Sequence, residues 1–269
     1  MKKWVLIGVG IIVIVIAAIL ILGISNLGPI MTKAVNTYGP EITKTEVRLR
    51  GADISIFSAE ASLRGFYLGN PKGFESPKAM SVGSIRINVD ESTLTKDTII
   101  IDTIQVLAPE IVYERIGNTD NFKAILNNVK KSAKIADQPA GEKPEKQGDG
   151  KKLLIRNLIV QDGMVNLSVA ALGEEESVNA ALPDIYMTDL GKDKGGASPE
   201  EIFEEVLALL YEQITSSAVT DILNKELEDY GLSLETLEED AEKELEALKE
   251  EKEEELKDVV KDKLKSLFD

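Results

Sequence analysis

The sequence predicts an α+β protein: a curved antiparallel β-sheet with packing helices, a single apolar N-terminal transmembrane helix before it and a charged C-terminal helix after it. Three observations predict this class. Ile85, Ile87 and Val89 alternate with Ser84, Arg86 and Asn88, the period-2 pattern of a half-buried strand. Ser198-Pro199-Glu200-Glu201 has the cap, the first-position proline and the capping-box glutamate that open a helix. Residues 4–23 carry no charge, and as a helix they would span about 30 Å, the thickness of a bilayer core.

Lys2 and Lys3 lie before that apolar run, and the first charge after it is Lys33. The positive-inside bias then predicts a single-pass inner-membrane protein with its N-terminus in and residues 24–269 periplasmic or extracytoplasmic. The apolar stretch is longer than a signal-peptide core, and Ala17-Ala18 lies inside it, so residues 1–27 read as an uncleaved anchor. Ile30, Ala34 and Val35 suit a short helix ending near Tyr38-Gly39-Pro40.

Residues 28–133 read as a β-rich domain. Residues 41–50 form a first strand, and residues 54–69 a long or broken second one whose phase changes at a bulge near Gly65. Asn70-Pro71-Lys72-Gly73-Phe74 is a turn. After the strand of Ile85, Ile87 and Val89, the runs Thr98–Ala108 and Glu110–Arg115 are β-rich and separated by Pro109. Short polar connections between such runs favour antiparallel pairing with one apolar face. Asp120 or Asn121 then caps a helix with the stripe Phe122, Ile125, Leu126 and Val129.

These residues carry a resemblance. Gly69-Asn70-Pro71 with Gly73-Phe74, the Ile104–Pro109 run, and Gly117 and Asn121 ahead of a Leu-containing helix make residues 1–130 similar to the N-terminal region of AsmA-family proteins. The resemblance implies an inner-membrane-anchored, periplasm-facing protein with a β-groove and a role in lipid handling or envelope maintenance. This chain has room for only one or two groove segments, since a strand advances about 3.3 Å per residue.

Residues 134–150 are rich in Pro, Gly and charge and read as a linker or long loop. Residues 151–191 form a second β section completing the sheet. In it, Asp162-Gly163 between two apolar runs signals a hairpin, and Val178–Leu190 is a strand interrupted at Pro183-Asp184. Residues 198–230 make an amphipathic helix through Ile202, Val206, Leu210, Ile214 and Ile222. Residues 231–269 follow as an acidic helix with Leu237, Leu245, Leu248 and Leu256 on a narrow stripe. A short coiled coil and a solvated helix held by Glu/Lys pairs both fit that stripe.

The net charge of −16 is unevenly placed. Residues 28–133 hold 13 basic and 12 acidic side chains, whereas residues 234–269 hold 7 and 15. That sign disfavours nucleic acid. With no Cys and no His, disulfides, thiol nucleophiles, imidazole bases and imidazole metal ligands are excluded. Asp53, Asp90, Glu91, Asp97, Asp102 and Glu114 fall at turns or on polar strand faces and read as solvated. No catalytic residue, cofactor or metal ligand is predicted. The expected working surface is the apolar sheet face, with Ile85, Ile87, Val89, Ile104, Val106, Val165, Leu167 and Val169 as lipid-facing candidates. The expected partners are the membrane through residues 4–23 and lipid acyl chains. The alternative is a structural protein that engages a partner or a second copy through residues 234–268, with Leu237, Leu245, Leu248 and Leu256 in the contact.

Overall fold

The computed structural model describes residues 27–116, 119–137, 152–168 and 178–237, together with Glu239 and Lys243. Helix α1 (Leu27–Thr43) leads into strands β1 (Val47–Ser55), β2 (Glu60–Gly69), β3 (Lys78–Val89), β4 (Thr98–Leu107), β5 (Glu110–Ile116) and the short β6 (Thr119–Asp120). Helix α2 (Asn121–Asp137) precedes β7 (Lys152–Gln161), β8 (Met164–Ser168), β9 (Val178–Ala181) and β10 (Ile185–Leu190). Helices α3 (Pro199–Ile214) and α4 (Ser217–Glu228) follow.

One sheet holds the strands, and three successive pairs of them are single runs bent once. β4 and β5 both pair antiparallel with β3 in one register, Ser84 opposite Leu107 and Met80 opposite Ile111. β7 and β8 pair parallel with β4 and β5 at one unbroken offset, from Thr98 opposite Lys152 to Glu114 opposite Ser168. β9 and β10 continue antiparallel, with Val165 opposite Ala180 and Val160 opposite Ile185. With β1 on β2 and β2 on β3, the sheet runs across in chain order.

The sheet is therefore mixed, which corrects the antiparallel expectation. The physical reason is α2: a helix between β6 and β7 returns the chain to the level where β4 began, so β7 enters alongside β4 in the same direction. The second β section belongs to the same sheet as the first. Asp162-Gly163 is likewise not a hairpin. Asp162 adopts a left-handed conformation (φ 56°), and the strand passes through it into β8. Gly163 is needed for packing, because a Cβ there would meet Leu182 at 2.9 Å and Pro109 at 3.1 Å.

The bend crosses the whole sheet. Leu49 faces Phe66 and Gly51 faces Arg64, which brackets a level formed by Arg50 and Gly65. The registers carry that level on through Gly83, Ala108, Asp162 and Pro183. Gly65 (φ 62°), Ala108 (φ 47°) and Asp162 (φ 56°) are left-handed. The phase change expected near Gly65 is real, but its pairing shows no slip there, so it is a level added to every strand rather than a bulge in one.

No helix among the described residues is long and apolar enough to cross a membrane. The single transmembrane helix, and with it the single-pass inner-membrane and periplasmic placement, is thus not part of the observed fold. The predicted span 4–23 lies outside the described residues. Helix α1 also corrects the boundary near Pro40: it runs through that proline to Thr43, whose hydroxyl donates to Gly39 O at 2.9 Å. Gly28 lets α1 lie directly on β1, since a Cβ there would overlap Ala52 O.

The helix expected over 198–230 is two helices. Ser198 and Glu201 form the capping box of α3, the chain breaks at Thr215-Ser216, and α4 turns so that Val219, Leu223 and Leu227 are buried. Helices pack on one face: α1 on β1, α2 on β5 and β6, α3 on β7 and α4 on β9. The main core under them includes Met31, Leu49, Leu68, Ile111, Phe122, Ile125, Val165, Ile214 and Leu223. A second core joins Ile99, Ile101, Leu153, Ile155, Leu158 and Leu190 to Ala197 and Ile202 at the start of α3.

Candidate functional site

Where these two cores meet, the helix-side face of the sheet carries two rows of apolar side chains, most of which belong to them or pack against them. One row is Ala52, Leu63, Ile85, Val106, Val160 and Ile185; the next is Ile54, Ala61, Ile87, Ile104, Leu158 and Met187. On the β7 and β10 side, Val160, Ile185 and Leu158 are buried. On the β1 to β4 side, Ile54, Leu63, Ile85, Ile87, Ile104 and Val106 are only half-buried. The β1–β2 hairpin at the end of this strip exposes Ile56 and leaves Phe57 100% exposed. A half-buried apolar row that ends in two exposed apolar side chains leaves a surface for a contact.

The lipid-facing candidates divide accordingly. Ile85, Ile87, Val89, Ile104 and Val106 lie together on the half-buried part of the face. Val165 and Leu167 are core residues beneath the helices, because their level lies on the covered side of the bend. Val169 lies outside the described residues. Of the partner-helix candidates, Leu237 packs against the chain's own core, whereas Leu245, Leu248 and Leu256 lie outside the described residues.

The acidic residues do not converge on a reactive centre. Arg156 bridges Asp90, at 3.2 Å, and Asp102. Ser92 and Arg156 hold the Asp90 carboxyl below the usual carboxylate range. Asp53 pairs with Arg64. Glu114 differs: it is 5% exposed and is the hub of a partly buried network. Its Oε1 accepts from Glu75 N–H at 2.6 Å, and its Oε2 accepts from Ser76 N–H at 2.9 Å and Asn70 Nδ2 at 3.1 Å. Asn121 Nδ2 donates to Asn70 Oδ1 at 2.8 Å and to Val112 O at 2.7 Å. Glu114 N–H in turn donates to Asn121 Oδ1 at 3.2 Å. Asn70 and Asn121 therefore touch. Among the described residues the donors to the Glu114 carboxylate come from the 70–77 turn, so the network fastens that turn to β5 and α2.

Asp120 completes this corner. Its Oδ1 accepts from Lys123 N–H at 2.7 Å, capping α2, and its Oδ2 accepts from the Tyr211 hydroxyl at 2.9 Å. Burial, then the Asp120 contact, push the Tyr211 phenol from an ordinary 10.0 up to about 12. The folded state thus favours the protonated phenol. This contribution is complete below about pH 10 and is lost as pH rises through about 12. Urea unfolding midpoints followed from pH 9 to 12 should fall more steeply for the wild-type chain than for Tyr211→Phe.

Comparison with models of protein families finds no match to this chain, and comparison with curated proteins finds none either.

Proposed function

We propose that this chain is a non-enzymatic binding protein that holds a lipid acyl chain on the half-open part of its sheet. The observation that carries the reading is the half-buried strip of Leu63, Ile85, Ile87, Ile104 and Val106, at the margin where the two cores meet and leading to Phe57. An acyl chain needs apolar contact along its length and no directional polar partners. A row of aliphatic side chains across three strands supplies that, at about 0.8 kcal/mol per methylene buried. The resemblance to AsmA-family proteins supports the same ligand class.

Two measurements on the full chain test this. Organic extracts of the purified protein should contain lipid by mass spectrometry. A fluorescent fatty acid should also bind, and Ile87→Lys with Ile104→Lys, which face each other, should weaken it by about tenfold or more, because a charge then faces the chain. A protein that yields no lipid and binds no probe, or a double variant that binds as well as wild type, would remove the reading.

A further inference from the structure

The opposite face of the same sheet holds an unexplained feature at the bend, an open cleft of about 610 Å³. We propose that it is a binding site for an anionic group, a phosphate or a carboxylate, held by Arg50 and Arg48. The reading is independent of acyl-chain binding on the helix-side face.

The cleft is built from the added level of the sheet. Gly65 and Gly83 form its floor beside Ala108. Gly65 has to lack a side chain, because a Cβ there would meet Arg50 Nε at 2.5 Å: the arginine lies directly over the glycine. A Cβ on Gly83 would meet nothing within 4 Å, so that part of the floor opens onto empty space. Arg48 is held in place on one wall. Its guanidinium carbon stands 4.4 Å from the centre of the Tyr67 ring, and its Nε is 3.1 Å from Glu46. The Tyr67 hydroxyl is itself fixed, donating to Pro77 O at 2.5 Å. Asn36 closes the β1 edge of the cleft, accepting from Leu49 N–H and donating to Leu49 O.

Arg50 has no ion-pair or hydrogen-bond partner among the described residues, although the chain carries a net charge of −16 and could have supplied one cheaply. Arg86, two levels above Ser84 on the same face, has none among them either, while Arg64 is matched by Asp53. Two carboxylates stand at the cleft and both are engaged: Glu46 on Arg48 Nε at 3.1 Å, and Glu110, with Lys78 Nζ 2.7 Å away and Ser81 donating to it at 3.2 Å. A planar guanidinium offers a forked set of donors that matches two oxygens of a phosphate or carboxylate. With Arg48 held on a ring and by Glu46, little of its side-chain freedom remains to be lost on binding.

Calorimetric titration of the full chain at low ionic strength tests the site with two probes, inorganic pyrophosphate and dihexanoyl phosphatidic acid. Saturable binding is expected. Arg50→Gln should weaken it by about tenfold or more, the range for a charge-assisted contact. Gly83→Val fills the floor without changing charge; valine suits a strand, so its urea midpoint should not fall while its binding does. The remote Lys225→Gln should bind as wild type. Binding of both probes identifies a free anion as sufficient, and binding of phosphatidic acid alone that is lost in Arg50→Gln identifies a lipid headgroup. Absence of saturable binding by wild type, or wild-type affinity in Arg50→Gln or in Gly83→Val, overturns the proposal.

Discussion

Glu114→Ala is expected to destabilise the fold by about 3–5 kcal/mol, because it takes the acceptor from several donors at about 1–3 kcal/mol each. Three donors converge on its carboxylate, the N–H groups of Glu75 and Ser76 and the side chain of Asn70. Alanine leaves all three facing a gap, and a partly buried donor without an acceptor costs toward the lower end of about 1–3 kcal/mol. Water entering from the turn offsets part of that. Glu114→Gln keeps the volume and one acceptor oxygen, so its loss should be smaller, about 1–2 kcal/mol. Urea unfolding of the three proteins decides the matter, and hydrogen exchange adds a local readout: the Glu75 and Ser76 amides should lose protection first in the alanine variant. Equal midpoints for wild type and Glu114→Ala would mean that the 70–77 turn is not fastened by this residue.

Phe122→Ala is the second large effect. Phe122 follows Asn121 at the start of α2, and its ring is 0% exposed within the main core. Truncation removes the ring and leaves a cavity that the surrounding strands and helices only partly close, a loss of about 3–5 kcal/mol. Because the ring and the Asn121 amide are neighbours at one helix end, the two losses should not add. The Phe122→Ala, Glu114→Ala double variant is expected to lose less than the combined single losses, a coupling readable in a double-mutant cycle. Full additivity would show that core and network act separately.

How far the sequence foretold this arrangement varies from element to element. The strand of Ile85, Ile87 and Val89 and the start of α3 at Ser198 are local patterns, and both occur where those patterns put them. The parallel pairing of β4 with β7 was not legible, because strand direction depends on where α2 and the segment after it deliver the chain. Asp162-Gly163 misled for a related reason: the left-handed backbone that suits a hairpin also suits a bend inside a strand, and only the neighbours Pro109 and Leu182 distinguish them. Glu114 was hidden more deeply. Ile111 and Tyr113 point into the core, so alternation puts residue 114 in water, and its burial comes from a turn 38–39 positions earlier in the chain. Within the apolar face, Ile85 and Val165 look alike as sequence. Helices cover one and leave the other half-buried, a tertiary distinction that periodicity does not carry.

The level that runs through Arg50, Gly65, Gly83, Ala108, Asp162 and Pro183 has a consequence for how this chain can change over time. Since strand side chains alternate with a period of two, losing one residue from a single strand there would invert every side chain beyond it relative to both neighbours. Losing one from all six would leave the pairing intact and merely flatten the sheet. Insertions and deletions at these positions are therefore permitted only as a concerted set. Among divergent descendants of this sequence the bend should be found whole or missing altogether.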